Sequence, residues 1–414
     1  MTPRTIVTVG AGQAAAVAAR NLRRHGFDGR ILLIGDEPHP PYQRPPLSKE
    51  YLSGAETAES LWILPEKWRA ANDVEVLTDT TVARVDPATR TVELAGRTPI
   101  VADAVLFATG GSPRRLTVPG PRPDLVHYLR SLDDATRLVP HLQPGCRLAI
   151  IGAGFIGLEL AATAATAGVA VTVLETAPTP LAAALGADMG MLITALHRDN
   201  GVDVRTSASV TDLRTTGNSV LIGSGTAAEE FDIAVIGIGI TPNVASAAAS
   251  GLDVDDGIVV DDAGRTAIPH VYAAGDVARR YSARAGCHVR VEHFDNASRQ
   301  GVAVAGAMLG RDAVNDDPHW FWSDQFGRNI QSLGTIRGTP VLRGDRDGLD
   351  FTAFYFDGPV LCGALSIERG EDISIARELL GRHVEPTALG DEDVDLWDLA
   401  YSDQENEEHT EVTA

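Results

Sequence analysis

The sequence predicts an α/β protein with two doubly wound parallel sheets in separate domains, followed by a C-terminal α+β domain. One observation is a strand, glycine turn, helix and strand in residues 5–36, and a second is the same pattern in residues 147–175. The third is the length, because 414 residues at about 150 per domain make two or three domains. The hydrophobic fraction of 44% is ordinary for globular domains with real cores.

The first glycine turn follows an apolar strand at residues 5–9. Gly10 allows the tight turn, and Gly12 allows a pyrophosphate to approach the N-terminus of the helix expected at residues 14–25. Ala15 stands at the third glycine position, which the fingerprint allows, and Asp36 lies about 20 residues further on, where a carboxylate can bind ribose hydroxyls. The pattern predicts a dinucleotide site; the alternative is a turn that only caps a helix.

The second glycine turn holds all three glycines of the fingerprint, Gly152, Gly154 and Gly157, and Glu175 ends the next strand. Two fingerprints indicate two dinucleotides on two domains, which suggests a flavin prosthetic group and a nicotinamide reductant. A 2′-phosphate would meet the Glu175 carboxylate with no basic residue at positions 176–179, so the sequence favours NADH over NADPH. The alternatives are coincidental glycine turns and a solvated loop acid at Glu175.

The net charge is −21, which argues against binding to nucleic acid or an anionic membrane, since both need a positive field. No window approaches the roughly 18 apolar residues of a membrane-spanning helix. Ten of the acids fall in residues 391–414, and residues 401–414 are expected to form an acidic, disordered tail. The three cysteines form no CxxC or Cys/His cluster, so no cysteine-based metal site is expected. These cysteines and the lack of a signal-peptide pattern predict a cytoplasmic protein.

Three further segments carry a resemblance to a known family. Residues 108–111 (ATGG), 237–243 (GIGITPN) and 271–276 (VYAAGD) follow apolar strands. In this order, together with the two fingerprints, they resemble the two-dinucleotide flavoprotein disulfide-reductase superfamily. The resemblance implies that the first domain binds FAD and the second binds NAD, with Asp276 holding ribityl or pyrophosphate groups.

Four more segments narrow the resemblance: residues 41–52 (PYQRPPLSKEYL), 129–135, 291–301 and 320–325. Over roughly residues 4–400 the chain resembles the FAD-dependent NADH:ferredoxin reductases of the oxygenase-coupled type, the family of the putidaredoxin, rhodocoxin and biphenyl dioxygenase ferredoxin reductases. The resemblance implies that a hydride passes from NADH to FAD. Electrons then pass singly to a 2Fe–2S ferredoxin that feeds a cytochrome P450 or a Rieske-type oxygenase.

The resemblance implies an FAD domain of residues 1–111 and 242–318, an NAD domain of residues 112–241 and a C-terminal domain of residues 319–400. Residues 41–52 contain no cysteine, so no thiol relay lies there and electrons must leave the flavin directly. Lys49 and Glu159, in the first turn of the second fingerprint helix, are implied to pair beside the flavin and the nicotinamide. The alternatives are an exposed loop lysine and a helix N-terminal acid.

The fingerprints and the resemblance together imply one set of cofactor-binding residues. They are Gly10, Gly12, Ala14, Ala15, Asp36, Arg44, Lys49, Val82, Arg130, Gly152, Gly154, Ile156, Gly157, Glu159, Glu175, Gly239, Gly275, Asp276 and Phe294. The family usually has Trp where this chain has Phe294. Residues 320–322 (WFW) are expected either to edge the flavin or to pack between domains.

Ferredoxins of this class are acidic, so docking on a chain of charge −21 requires a local basic patch. Arg279, Arg280, Arg284 and Arg311 are the candidates, with Arg290 in the same arginine cluster, and the alternative is a solvated arginine-rich loop. The expected oligomeric state is a monomer or a weak dimer. Two other functions remain open from the sequence. One is an NADH oxidase or quinone reductase with a small acceptor, and the other is a flavoprotein like apoptosis-inducing factor.

Overall fold

A computed structural model of the chain describes residues 4–120, 122–224, 227–311 and 313–401. The chain divides into two compact units. The first contains the described residues within 1–114, 130–135 and 239–317, and the second contains those within 115–129, 136–238 and 318–401. Among the described residues, no helix has the length and apolar composition needed to cross a membrane.

The chain begins with the first part of the first unit. Its elements are β1 (Thr5–Val9), α1 (Gln13–Arg24), β2 (Arg30–Ile34), α2 (Glu66–Ala71), β3 (Val74–Leu77), β4 (Val82–Asp86), β5 (Thr91–Leu94), β6 (Ile100–Val101), β7 (Ala104–Phe107) and β8 (Gly111–Pro113). Strands β1, β2, β3 and β7 are parallel, and β4–β6 form an antiparallel meander. The inner strands β1 and β7 are almost wholly buried and apolar, as parallel strands covered on both faces must be.

The next stretch provides most of the second unit, apart from residues 130–135, which belong to the first unit. Its elements are β9 (Val126–His127), α3 (Leu132–Leu138), β10 (Arg147–Ile151), α4 (Phe155–Thr166), β11 (Ala170–Leu174), α5 (Ala182–Leu185), α6 (Ala187–Asp199), β12 (Asp203–Arg205), β13 (Val210–Thr216), β14 (Ser219–Ser224), β15 (Ala227–Phe231) and β16 (Ile233–Ile236). The parallel sheet has the order β12-β11-β10-β16-β9, and β13–β15 form an antiparallel meander.

The chain then returns to the first unit. Its elements there are β17 (Ile240–Pro242), α7 (Ala245–Ala249), β18 (Ile258–Val260), β19 (Val271–Ala273), β20 (Ala278–Ser282), β21 (Cys287–Val289) and α8 (Phe294–Met308). Strand β19 pairs with β7 and completes a five-stranded parallel sheet of order β19-β7-β1-β2-β3. Strand β17 pairs with β8 in a two-stranded antiparallel ribbon.

The last described part is an antiparallel sheet with helices packed on it. Its elements are β22 (Trp320–Gln325), β23 (Arg328–Gly334), β24 (Val341–Asp345), β25 (Asp350–Asp357), β26 (Val360–Ile367), α9 (Gly370–Leu379) and α10 (Pro386–Gly390). The strand order is β22-β23-β26-β25-β24. Leu333 and Phe354 pack against Ile373 and Leu379 of α9, so the buried face of the sheet is covered by a helix.

The domain limits given by the sequence stay a prediction beside these two units. Residues 130–135 group with the first unit because Leu132 donates its N–H to the Tyr42 hydroxyl at 2.9 Å and Arg130 pairs with Asp276. Tyr401, expected to begin the tail, stacks on Trp397 with ring centroids 5.8 Å apart. Residues 402–414, the rest of that predicted tail, lie outside the described residues.

Candidate dinucleotide sites

The turn after β1 has the backbone that the first fingerprint predicts. Gly10 has a φ of +105°, and a Cβ added there would lie 2.2 Å from the Ala108 carbonyl oxygen, so only glycine fits. Gly12 is the N-cap of α1, and a Cβ added to it would meet no described atom within 4 Å. The first turn of α1 contains no acidic residue. An open space therefore faces the free N–H groups of the helix, as an anionic pyrophosphate requires.

Small residues bring α1 close to α8 and to the loop after β19. Ala14 and Ala15 are buried, so the methyl group of Ala15 is accommodated in the core at the third glycine position of the fingerprint. A Cβ added at Gly301 of α8 would lie 2.7 Å from the Ala14 carbonyl oxygen, and one at Gly275 would lie 3.3 Å from the Ala14 Cβ. The N-terminal turn of α1 is thus held between the β19 loop and α8.

Two acidic residues follow β2, and they differ in their surroundings. Asp36, the predicted ribose ligand, is exposed at the carboxyl end of the sheet. Glu37, for which the sequence predicts no role, accepts a hydrogen bond from the Tyr42 hydroxyl at 2.5 Å. Its carboxylate also forms an ion pair with Arg44 at 2.5 Å. Burial raises the pKa of Tyr42, the Arg44 charge opposes this and Glu37 adds to it, so Tyr42 stays protonated as the donor.

Three predicted residues that are far apart in sequence meet in the first unit. Arg44 donates to the Arg130 carbonyl oxygen at 2.5 Å, and Arg130 pairs with Asp276 at 2.8 Å. Burial lowers the pKa of Arg44, but the neighbouring Tyr42, Glu37 and Asp276 outweigh it, so Arg44 remains a cation. This cluster of alternating charges is fixed at the same end of the sheet as Gly12 and fits a phosphate-bearing ligand.

Four other predicted residues lie in the first unit. Lys49 directly follows a 3-10 helix at Pro45–Ser48 and is half-buried. Phe294 is the first residue of α8 and is also half-buried. Val82 begins β4, and its side chain is part of the hydrophobic core. The carbonyl of Gly239 accepts a hydrogen bond from the Arg114 N–H at 2.9 Å.

The second fingerprint forms the same kind of turn in the second unit. Gly152 has a φ of +103°, and an added Cβ would lie 2.3 Å from the Gly237 carbonyl oxygen. A Cβ at Gly157 would lie 2.2 Å from the Gly152 carbonyl oxygen, so this glycine allows α4 to pack against β10. At Gly154, the N-cap of α4, an added Cβ would contact none of the described atoms within 4 Å. Ile156 in the first turn of α4 is 47% exposed.

Glu175, the predicted NADH selector, is hydrogen-bonded to the fingerprint loop itself. Its carboxylate accepts from the Ala153 N–H at 2.7 Å and from the Ala177 N–H at 2.8 Å. These two backbone donors could not be read from the sequence motif. The carboxylate therefore stabilises the glycine loop as well as placing a negative charge at the end of β11.

Glu159 is the fifth residue of α4, so it lies just past the first turn of the helix and not within that turn, where the sequence predicts it. It is 4% exposed and accepts a hydrogen bond from the Ser323 hydroxyl of β22 at 2.7 Å. Nearby, Phe321 packs edge-on against Phe155 with centroids 4.5 Å apart. The aromatic run thus contributes to packing within the second unit. The pairing of Glu159 with Lys49 stays a prediction.

The four arginines predicted for docking differ in accessibility. Arg280 is 2% exposed and faces Asp316 at 3.7 Å, so its proposed surface role was wrong. The reason is the alternation of β20, which turns one of two adjacent arginines inward. Arg279 pairs with Asp255. Arg284 is exposed without an ion pair in the described part of the chain, and Arg311 donates to the His25 carbonyl oxygen at 3.1 Å.

The comparisons with known proteins agree with this geometry. Residues 4–301 match the pyridine nucleotide-disulphide oxidoreductase family model, and residues 320–400 match the reductase C-terminal domain. The chain is 38% identical to rhodocoxin reductase of Rhodococcus erythropolis, covering 95% of this chain and 93% of that protein. It is 34% identical to putidaredoxin reductase CamA of Pseudomonas putida, covering 95% and 96%.

A solved structure also resembles the fold. The covalent putidaredoxin reductase–putidaredoxin complex gives a TM-score of 0.90 at 34% identity and covers 96% of this chain and 98% of that one. The predicted fold class, the resemblance to oxygenase-coupled ferredoxin reductases and the assignment as an oxidoreductase with FAD and NAD as cofactors are confirmed. The chain therefore belongs to the pyridine nucleotide-disulphide oxidoreductase family, on the branch of ferredoxin reductases with a reductase C-terminal domain.

Proposed function

We propose that the protein is an NADH-dependent ferredoxin reductase, which delivers electrons from NADH through FAD to a 2Fe–2S ferredoxin of a cytochrome P450 or Rieske-type oxygenase system. The observation that carries this proposal is the likeness, over 96% of the chain, to putidaredoxin reductase in complex with putidaredoxin. The unpaired, dispersed cysteines favour a reducing, cytoplasmic location.

In this proposal the first unit holds FAD. Gly10 and Gly12 admit the pyrophosphate to the N-terminus of α1, and Asp36 accepts hydrogen bonds from ribose hydroxyls. Arg44 and Asp276, already fixed by Glu37 and Arg130, hold the flavin half of the cofactor. The bound FAD and NAD(H) supply the redox chemistry, while the protein supplies binding, orientation and electrostatics.

The second unit holds NADH in the same manner. Gly154 admits the pyrophosphate to α4, and Ile156 offers an apolar surface beside it. Glu175 accepts from the adenosine ribose and repels a 2′-phosphate. Lys49 stabilises negative charge on the flavin, and Glu159 orients the nicotinamide. Neither residue acts as a nucleophile or a general base.

The partner is an acidic ferredoxin that docks on exposed arginines. Arg284 and Arg311 are the exposed candidates, and Arg279 contributes only if the partner displaces Asp255. Arg280 is excluded by its burial. Because the chain is strongly acidic overall, docking depends on this local charge and weakens as salt screens it.

Stopped-flow absorbance tests the proposal in two steps. NADH should bleach the flavin of the holoenzyme much faster than NADPH does. Cytochrome c reduction should then require an added 2Fe–2S ferredoxin, with putidaredoxin as the first probe and ferredoxins of other oxygenase systems as further probes. Turnover at the full rate without any ferredoxin, or with oxygen or a quinone alone, would contradict the proposal.

A further inference from the structure

A continuous chain of four polar side chains runs through the interior of the second unit. The Ser323 hydroxyl donates to Glu159 at 2.7 Å, and the Gln325 amide nitrogen donates to the Ser323 oxygen at 2.9 Å. The Gln325 amide oxygen lies 2.9 Å from Nε2 of His197. The chain thus links α4, β22 and α6 by three consecutive hydrogen bonds.

The four side chains are shielded from water. Ser323 and His197 are 0% exposed, Gln325 is 1% exposed and Glu159 is 4% exposed. Phe326 closes the far end by packing its ring against His197 with centroids 5.0 Å apart. In such surroundings each hydrogen bond is stronger than in water, and a broken one leaves a polar group without solvent to replace its partner.

The direction of every bond follows from the carboxylate at one end. An ionised Glu159 only accepts, so Ser323 must donate to it, and the Ser323 oxygen then accepts from the Gln325 amide. The Gln325 oxygen consequently accepts from His197, which must carry its proton on Nε2. Nδ1 of His197 has no hydrogen-bond partner among the described residues, and burial lowers the His197 pKa despite the opposing Gln325 bond. A neutral imidazole with Nε2–H satisfies all of these conditions.

We propose that Ser323, Gln325 and His197 are positioning residues that hold the Glu159 carboxylate ionised and in one orientation for the nicotinamide. This inference rests on the proposed function, because Glu159 acquires its role only if NADH binds beside it. Ser323 touches the carboxylate directly, whereas His197 acts through two intervening side chains.

The protonation of His197 tests the relay without any turnover. Side-chain nitrogen NMR of the histidine-labelled holoenzyme, with the His197 signals assigned by a His197→Phe variant, should show a neutral ring protonated at Nε2. Protonation at Nδ1, or at both nitrogens, at neutral pH would reverse or break the chain of donors and would overturn the inference.

The effect on NADH is tested by Ser323→Ala. Matched to it is Ser366→Ala on β26, because Ser366 is also 0% exposed and its hydroxyl has no hydrogen-bond partner in the described structure. We expect Ser323→Ala to lower the limiting rate of flavin reduction about tenfold, while the NADH Kd changes less than about twofold, because Gly154 and Glu175 still hold the adenosine half. Ser366→Ala should change neither. Equal effects of the two variants, or parallel changes in rate and Kd, would contradict the relay.

A double-mutant cycle distinguishes a relay from three separate contacts. His197→Phe keeps the ring volume and should lower the same limiting rate, and adding Ser323→Ala should slow it little further. If the fold losses in rate of the two single variants multiply in the double variant, the relay is refuted. If Ser323→Ala does not fold, Ser323→Thr, which keeps the hydroxyl, should retain the wild-type rate, and a tenfold loss would count against the relay. Failure of wild-type reduction by NADH would instead refute the proposed function and leave the NMR result to stand alone.

Discussion

Glu175 combines an observed and a proposed role in one carboxylate, since it is hydrogen-bonded to the fingerprint loop and we propose that its charge selects NADH. Its hydrogen bonds to the Ala153 and Ala177 N–H groups keep the charge at the end of β11. Hydrogen bonds to an ionised group each contribute about 1.5–3 kcal/mol, so the loop depends on this residue.

Replacing Glu175 should change cofactor selectivity. Glu175→Arg removes the repulsion of a 2′-phosphate and adds a cation, so the ratio of kcat/KM for NADH to that for NADPH should fall at least tenfold. Steady-state assays with both cofactors measure this ratio. Glu230→Arg, at an exposed acid on β15, makes the same charge change and should leave the ratio intact. An unchanged ratio in the Glu175 variant would refute the NADH assignment.

Lys49 is one of only two lysines in the chain, and the other provides its control. Lys49→Met removes a cation proposed to stabilise the reduced flavin. The flavin midpoint potential should therefore fall by about 30 mV, equivalent to about 1.4 kcal/mol for two electrons. Lys67→Met, on an exposed face of α2, should leave the potential unchanged. Redox titration measures the flavin midpoint potential of both variant holoenzymes. Equal potentials in the two variants would mean that Lys49 is an ordinary loop lysine.

Single residues also mark where sequence reasoning stops. Gly10, Gly152 and Gly157 could be predicted because the tight turn of a strand–turn–helix unit requires glycine there, although Gly10 and Gly152 contact backbone that is far away in the sequence. The burial of Arg280 could not be predicted, because the sequence alone does not show which of two adjacent arginines on a strand faces the interior. That depends on a later segment of the chain that packs against the strand. That segment carries Asp316, which lies 3.7 Å from Arg280.

At the scale of elements, α1 and α4 have equivalent N-termini with a glycine N-cap, and the proposed function assigns a different cofactor to each. Gly12→Ala and Gly154→Ala place a methyl group into open space at a negative φ, so both variants should fold with wild-type melting temperatures. Each should weaken one cofactor by about tenfold or more, since the methyl group occupies the approach of a pyrophosphate.

The two variants control each other. Gly12→Ala should lower FAD retention, measured by flavin fluorescence, and Gly154→Ala should raise the NADH Kd without releasing FAD. Loss of both cofactors in either variant would contradict the assignment of one dinucleotide to each helix.

The parallel sheets and their helices followed from local apolar patterns, but the antiparallel meanders β4–β6 and β13–β15 carried no comparable fingerprint. The polar chain behind Glu159 was missed for a related reason. Ser323 and Gln325 do show a two-residue spacing on β22, yet His197 is 126 positions earlier than Ser323 in a helix with no motif. Only the tertiary fold brings them together.

At the scale of the whole molecule, the charge of −21 leads us to propose that an acidic ferredoxin docks through a few exposed arginines. Arg284→Glu should raise the KM for putidaredoxin about threefold to tenfold at low salt, and the difference should shrink above about 0.5 M salt. Arg97→Glu, a charge reversal at another exposed arginine of the first unit, should have a smaller effect. Equal effects of the two variants on KM would assign the result to net charge and refute Arg284 as a docking residue.

The strand order of the first sheet has a consequence for synthesis of the chain. Strand β7 ends at Phe107, but its outer neighbour β19 begins only at Val271, after every strand of the second unit's parallel sheet has been made. At about 5–20 residues per second, the ribosome needs roughly 10–30 s to bridge that gap. During this time β7 is an unpaired edge of the first unit's parallel sheet. All five strands of the second unit's parallel sheet are synthesised within the same interval, so that sheet can form completely. The nascent chain therefore has an unpaired strand edge at β7 during this interval, and such an edge can pair with another chain and start aggregation.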